Sequence, residues 1–214
     1  MPQTNQGVRS LLSVPSVYNL FTRLIGETSY RKTLVDQYIC PQENDRILDI
    51  GCGTGKIVQY LPNVDYIGFD ASQEYIKTAQ AEFYKETKDS TLNKQVKFIC
   101  QEVNTSEIKE DACFDIVLAL GILHHLSDLE SLQLFNTAIH SLKPGGKLIT
   151  FDGVYILNQS PVARWIISKD RGQNVRTQEA YLALASQVFS QITTSIRHDL
   201  IRIPYTHIIL TCTK

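Results

Sequence analysis

Arg46-Ile47-Leu48-Asp49-Ile50-Gly51-Cys52-Gly53-Thr54-Gly55-Lys56 decides how this chain folds. Ile47, Leu48 and Ile50 are apolar and mostly β-branched, the composition of a strand covered on both faces. Gly51, Gly53 and Gly55 then let the backbone turn sharply and approach a ligand closely. Lys56 to about Leu61 reads as a helix whose first free N–H groups point back at that turn. A nucleoside-type ligand fits across such an edge.

The dinucleotide fingerprint G-x-G-x-x-G does not match, because Lys56 stands where its third glycine belongs. The extra glycine falls at Gly55, and an acid, Asp49, sits inside the strand. An acidic residue followed by G-x-G-x-G resembles the first motif of class I S-adenosylmethionine-dependent methyltransferases. The resemblance implies that Gly51, Cys52, Gly53 and Gly55, with Asp49, lie against the amino-acid part and ribose of S-adenosyl-L-methionine.

Further along, Val64 to Asp70 reads as a second strand ending in an acid. Asp70 follows Asp49 by about 20 positions, a spacing at which a carboxylate can take both ribose hydroxyls of an adenosine cofactor. The alternative is a helix-capping or surface aspartate, with Ser72 competing for the cap. Glu74 to Lys88 is an amphipathic helix, and Gln95 to Cys100 a third strand. By the same resemblance, Glu102 accepts a hydrogen bond from the adenine amino group and the Val103 backbone meets a ring nitrogen. Ala71 and Leu120 complete the implied cofactor contacts.

Phe114 to Gly121 is nearly all apolar and belongs at the centre of the sheet. The run FDIVLALGILHHL resembles the family's fourth motif, whose strand end faces the transferable methyl group. His124 and His125 are the candidate catalytic residues. Imidazole suits deprotonation of a hydroxyl near neutral pH, although the pair can equally shape the pocket. No third ligand stands at metal spacing beside them. Asp128 to Ser141 is a helix, and the string SLKPGGKLI is a tight turn into a fifth strand, Leu148 to Phe151.

The flanks carry less regular patterns. Ser16 to Ile39 has helical periodicity, broken near Gly26. The string from Tyr18 to Leu24 resembles the helix that closes over the cofactor in similar methyltransferases; otherwise Tyr18 and Phe21 are core aromatics. Between 153 and 179 the alternation breaks. Arg164, Arg171 and Arg176 there suit either a carboxylate or phosphate on the acceptor or ion pairs with Asp170 that hold a long loop. Phe189 to Arg197 and Ile203 to Thr213 read as an antiparallel strand pair.

Composition narrows the function further. The chain has 214 residues and 21 basic against 22 acidic side chains, a net charge of −1. No basic excess exists to hold a polyanion, so nucleic acid is not an expected partner. No apolar run approaches the ~20 residues of a membrane span, and the polar N-terminus carries no signal-peptide pattern. The five cysteines form no C-x-x-C pair, and we expect reduced, mostly buried thiols in a cytoplasmic protein.

These readings predict an α/β fold: a doubly wound, Rossmann-like, seven-stranded, mostly parallel sheet with a C-terminal antiparallel hairpin. One domain is expected over 1–214, with a helical lid (1–45), a cofactor-binding core (46–152) and an acceptor-side segment (153–214). The implied activity is methyl transfer to an oxygen, nitrogen or carbon nucleophile of a small-molecule, sugar or lipid-like acceptor. The competing readings are a catalytically silent methyltransferase-like binding protein and a nicotinamide-dependent dehydrogenase.

Overall fold

A computed structural model describes residues 27–87, 95–102, 113–170 and 172–214. Tyr18, the expected lid helix around it, Val103 and Arg171 lie outside the described residues. The described chain opens with α1 (Glu27–Leu34), which runs into a π-helical turn over Val35–Ile39. Strand β1 (Arg46–Ile50) follows, then β2 (Asp65–Asp70), helix α2 (Gln73–Thr87), β3 (Gln95–Cys100) and β4 (Phe114–Leu120). Next come α3 (Asp128–Ser141), β5 (Leu142–Tyr155), α4 (Pro161–Ser168), the two-residue β6 (Arg176–Thr177) and α5 (Gln178–Ala185). Strands β7 (Gln191–Arg197) and β8 (His207–Thr213) end the fold.

The sheet order is β3-β2-β1-β4-β5-β8-β7, with β6 pairing β5 off that path. The first five strands are mutually parallel, and β8 inserts antiparallel between β5 and β7. The mostly parallel sheet and its C-terminal antiparallel pair match the expected fold class. The pair is not wholly peripheral: β7 is the edge and β8 an interior strand. That position explains the near-continuous burial of His207–Leu210.

Side chains alternate across the central strands and build two cores. Leu48 and Ile50 of β1 join Val117, Leu148, Phe135 and Tyr181 on the face covered by α3 and α5. Ile47 joins Tyr66, Leu118, Ile149, Leu34 and Ile39 on the face covered by α1. β4 is buried almost throughout, as its composition predicts. Helix α3 begins with a reciprocal capping box in which Ser127 and Glu130 satisfy each other's backbone N–H groups.

Three sequence expectations change. The helix after the glycine turn is a single 3₁₀ stretch, Lys56–Tyr60, because Pro62 forces Leu61 into an extended conformation (φ −79°, ψ 150°). The fifth strand is far longer than Leu148 to Phe151. Leu142 pairs with Phe114, the Lys143–Gly146 segment bulges, and pairing resumes at Lys147 opposite Ile116. Gly145 (φ +79°) permits that bulge. The thiols are free, but only Cys212 is buried; Cys40 and Cys100 are exposed. Cys100 ends an edge strand, and Cys40 caps the π-helical turn in a left-handed conformation.

Candidate active site

The strand order reverses between β1 and β4, and a cavity of about 1020 Å³ opens at the carboxyl ends of these strands. Its size suits a cofactor together with an acceptor. Asp49, Gly51, Cys52, Gly53, Asp70, Ala71, Glu102, Leu120, His124 and His125 all line it. The expectation thus brings together ten residues from five separate segments. Gly55 is the exception. A side chain there would collide with the Phe98 ring, so its left-handed backbone (φ +66°) serves the packing of the turn and the start of the 3₁₀ helix.

The half around the glycine turn is anionic and partly unsatisfied. Asp49 is buried on the face of β1 that carries Ile47, and the Tyr66 hydroxyl donates to its Oδ2 at 2.6 Å. Oδ1 is buried and has no hydrogen-bond partner among the described residues. Burial drives the Asp49 carboxyl up to about 7; the Asp70 charge adds to the rise, and the Tyr66 hydrogen bond and Arg31 charge oppose it. Asp70 Oδ2 accepts from the Gly53 N–H at 2.9 Å and Oδ1 from the Ser72 N–H at 2.8 Å. The carboxylate therefore ties β2 to the glycine turn, while retaining lone pairs for a ligand. Ser72 in turn accepts from the Tyr75 N–H at 3.3 Å and caps α2. Burial and the carboxylates of Asp49 and Asp70 push the Cys52 thiol up, which leaves it inert as a nucleophile.

Gly51 (φ +76°) has no room for a side chain, because a Cβ would run into the end of Ile122. Gly53 (φ +54°) differs: nothing lies within 4 Å of where its Cβ would be. Gly53→Ala should therefore fold, at a cost of about 1–2 kcal/mol for the left-handed backbone. The added methyl enters the space beside the turn, and cofactor affinity should weaken by about tenfold, roughly 1.4 kcal/mol. Thermal melting and calorimetric titration check both effects. Undiminished affinity would contradict the placement of the cofactor against this turn.

The other half centres on His124. Its ring Nδ1 is 2.7 Å from Asp152 Oδ1, which also accepts from the His124 backbone N–H at 3.2 Å. Its Nε2 stands 3.6 Å from Asp170 Oδ1, an ion-pair distance too long for a hydrogen bond. Asp170 accepts from Tyr205 Oη at 2.6 Å and from the Gly172 N–H at 3.1 Å. Burial pulls the His124 imidazole down, but the hydrogen bond and charge of Asp152 and the charge of Asp170 outweigh it and leave it above its ordinary value. Burial alone would raise the Asp170 carboxyl; His124, Tyr205 and the Gly172 N–H hold it below the ordinary carboxylate value instead. His207, stacked on Phe151 at 4.5 Å, is pushed down by burial to about 3 and is neutral.

Of the three arginines, Arg176 is structural. Its guanidinium donates to the carbonyls of Leu123, Leu126 and Asn174 and to Asp128. It fastens the histidine turn and does not reach the acceptor space. Arg164 lies over the Tyr155 ring, 5.0 Å from its centroid. Asp152, Asp170, Tyr205 and His207 were not legible as site residues. Only Asp152 carried a signal: it directly follows the expected strand Leu148 to Phe151, much as Asp70 ends β2.

Fold and cavity together define a doubly wound α/β protein with a nucleoside-type site at its switch point. A methyltransferase-domain family model matches residues 47–146. The mouse mitochondrial ubiquinone biosynthesis O-methyltransferase is 31% identical over 110 residues, covering 50% of this chain and 28% of that protein. The 27-O-demethylrifamycin SV methyltransferase of Amycolatopsis mediterranei is 31% identical over 121 residues, covering 55% and 41%. Among solved structures, Haemonchus contortus phosphoethanolamine N-methyltransferase 2 in complex with S-adenosyl-L-methionine superposes with a TM-score of 0.68 at 20% identity, covering 92% of this chain and 48% of that one. These matches support a class I S-adenosylmethionine-dependent methyltransferase domain over residues 47–146, and the chain spans less than half the length of these two curated relatives. S-adenosylmethionine is the cofactor of that family. The residues present fit it: a cationic ligand answers the orphaned Asp49 Oδ1, and the open space at Gly53 admits it.

Proposed function

We propose that this protein transfers the methyl group of S-adenosylmethionine to an oxygen of a small molecule, with nitrogen or carbon acceptors as the narrower alternatives. The observation that carries this reading is an imidazole–carboxylate pair, His124 and Asp152, in the same cavity as the glycine turn. A hydroxyl acceptor needs a proton acceptor beside it, whereas an amine only has to arrive unprotonated. The names of the relatives at 31% identity, both O-methyltransferases by name or by the position they methylate, support oxygen.

Bound S-adenosylmethionine supplies a methyl group on a sulfonium, an excellent leaving group. The protein's task is then alignment and removal of the acceptor proton. In this reading Asp49, Gly51, Cys52 and Gly53 hold the amino-acid part. Asp70 and Ala71 take the ribose, Glu102 and Val103 the adenine, and Leu120 flanks the reacting centre. Tyr18 covers the cofactor, and a single domain carries all of these. The His124–His125 pair receives the proton. The free thiols suit a reducing compartment such as the cytoplasm, and among the described residues no helix is long and apolar enough to cross a membrane.

The test is incubation with methyl-labelled S-adenosylmethionine and a panel of phenols, aliphatic alcohols and amines, following S-adenosylhomocysteine and the methylated product by mass spectrometry. Turnover with hydroxyl acceptors is expected. Tight cofactor binding with no turnover of any acceptor would overturn the enzymatic reading in favour of a binding protein.

A further inference from the structure

Three of the five large apolar side chains exposed among the described residues fall close together: Leu157 is 89% exposed, Val162 55% and Trp165 63%. Leu157 sits in the turn after β5, and the other two are on α4. Ala163 and Ile167, one turn apart, are buried and seat α4 on the body of the protein. Val162 and Trp165 lie on the outer side of the helix. One turn further on, the same stripe continues as Ile166 and Lys169, which line the cavity. An exposed apolar surface thus leads directly to the cavity rim. Its charge is one-sided as well. From Gly153 to Lys169 the chain carries no acidic residue, while Arg164 and Lys169 are exposed cations. The flanking acids, Asp152 and Asp170, face His124 instead. In a chain of net charge −1 this is a local cationic face.

We propose that this face docks on an anionic lipid bilayer, with Leu157, Val162 and Trp165 among the headgroups and Arg164 and Lys169 on lipid phosphates. The components are those of an interfacial helix: an apolar stripe, an amphipathic aromatic ring, and basic side chains beside it. A second copy of the chain is the poorer occupant. A two-fold contact through this face sets its cations against one another, with no acid between Gly153 and Lys169 to answer them. An anionic surface satisfies the apolar and the charged parts together. Because α4 is short, the docking is weak and reversible. The rim at Ile166 and Lys169 then lies at the lipid surface, and an acceptor with a hydrocarbon tail reaches the cavity while its tail stays in lipid. That consequence rests on the methyl-transfer reading; the docking does not.

Trp165 is the only tryptophan, so its fluorescence reports on this face alone. Vesicles of phosphatidylcholine with phosphatidylglycerol, and of phosphatidylcholine alone, are titrated into the protein. The anionic vesicles should shift the emission to the blue and carry the protein down on sedimentation, with binding at least tenfold weaker to phosphatidylcholine alone. Arg164→Glu, which exchanges an attracted charge for a repelled one, should weaken anionic binding by about thirtyfold. Leu157→Ser combined with Val162→Asp should abolish the shift and keep the wild-type melting curve and cofactor affinity. A wild type that neither shifts nor sediments would overturn the proposal. So would equal binding to both kinds of vesicle, or an emission already blue in buffer, which would mean that protein covers the face. With methyl-labelled S-adenosylmethionine, anionic vesicles should raise turnover of a phenol bearing a long alkyl chain and leave that of phenol unchanged. A docked protein that treats the two alike would overturn delivery from lipid; turnover of neither would count against the methyl-transfer reading and leave the vesicle result standing.

Discussion

Asp49→Asn is expected to make the affinity for S-adenosylmethionine low and nearly independent of pH. Wild-type affinity should climb by about tenfold per pH unit between roughly pH 5 and 7 and then level off. The reason is the buried carboxyl, raised to about 7 chiefly by desolvation and already holding the Tyr66 hydroxyl. A cationic ligand binds its ionised form, so below neutrality each binding event must first expel a proton. Stability of the free protein runs the opposite way. A carboxyl whose folded value lies above its unfolded value of 3.8 favours the fold while protonated. That contribution is complete below about pH 4 and lost as pH rises through 7, a swing on the order of 4 kcal/mol. Asparagine keeps an acceptor for Tyr66 and cannot ionise, so its unfolding free energy should lack this decline. Titration calorimetry and urea unfolding at several pH values read both effects. Parallel pH profiles for the two proteins would remove Asp49 from the site.

Arg176→Met should cost about 2–6 kcal/mol, the range for two buried carbonyls left without a donor, and lower Tm by roughly 2–4 °C per kcal/mol. The pairing with Asp128 is not the main term, because that carboxylate side chain is 75% exposed and such pairs are worth about 1 kcal/mol or less. The larger loss comes from the Leu123 and Leu126 carbonyls, which the guanidinium serves at 2.9 and 2.7 Å, and which methionine leaves in a buried setting without a donor. Lysine should recover little, since one ammonium cannot span the positions that the planar fork reaches. Thermal melting of the three proteins measures this. A loss below about 1 kcal/mol would show that water replaces the guanidinium at no cost.

The cofactor half of the cavity was legible in the sequence because its parts are local. Strand, turn and acid follow one another from Ile47 to Gly53, and Asp70 ends the next strand at a fixed spacing. The central place of β4 was equally plain, because a strand buried on both faces has no polar alternation to hide it. Of the other half, the His124–His125 pair was legible and its surroundings were not. Asp152, Asp170, Tyr205 and His207 come from β5, the segment after α4, the residues just before β8 and β8 itself; β8 lying against β5 brings His207 beside Asp152, and Tyr205 holds Asp170 to them. Arg176 suited an anion receptor and a loop-holding ion pair equally, because a guanidinium recognises carbonyls and carboxylates with the same fork. Two of its three carbonyl partners stand about 50 positions away in the chain. The 3₁₀ stretch at Lys56–Tyr60 follows from Pro62, a signal present in the sequence and outweighed by the expectation of a full helix.

The contact between Gly51 and Ile122 has a mechanical meaning. Ile122 occupies the volume that any side chain at position 51 would need, and it stands two residues before His124. The turn after β1 and the turn after β4 therefore behave as one rigid jaw. Opposite stand Asp170, Gly172 and Asn174, which meet the first jaw at the ring and carbonyl of His124. In the proposed reading, exchanging these residues for others of another shape should change which acceptor fits and leave the grip on the cofactor as it was.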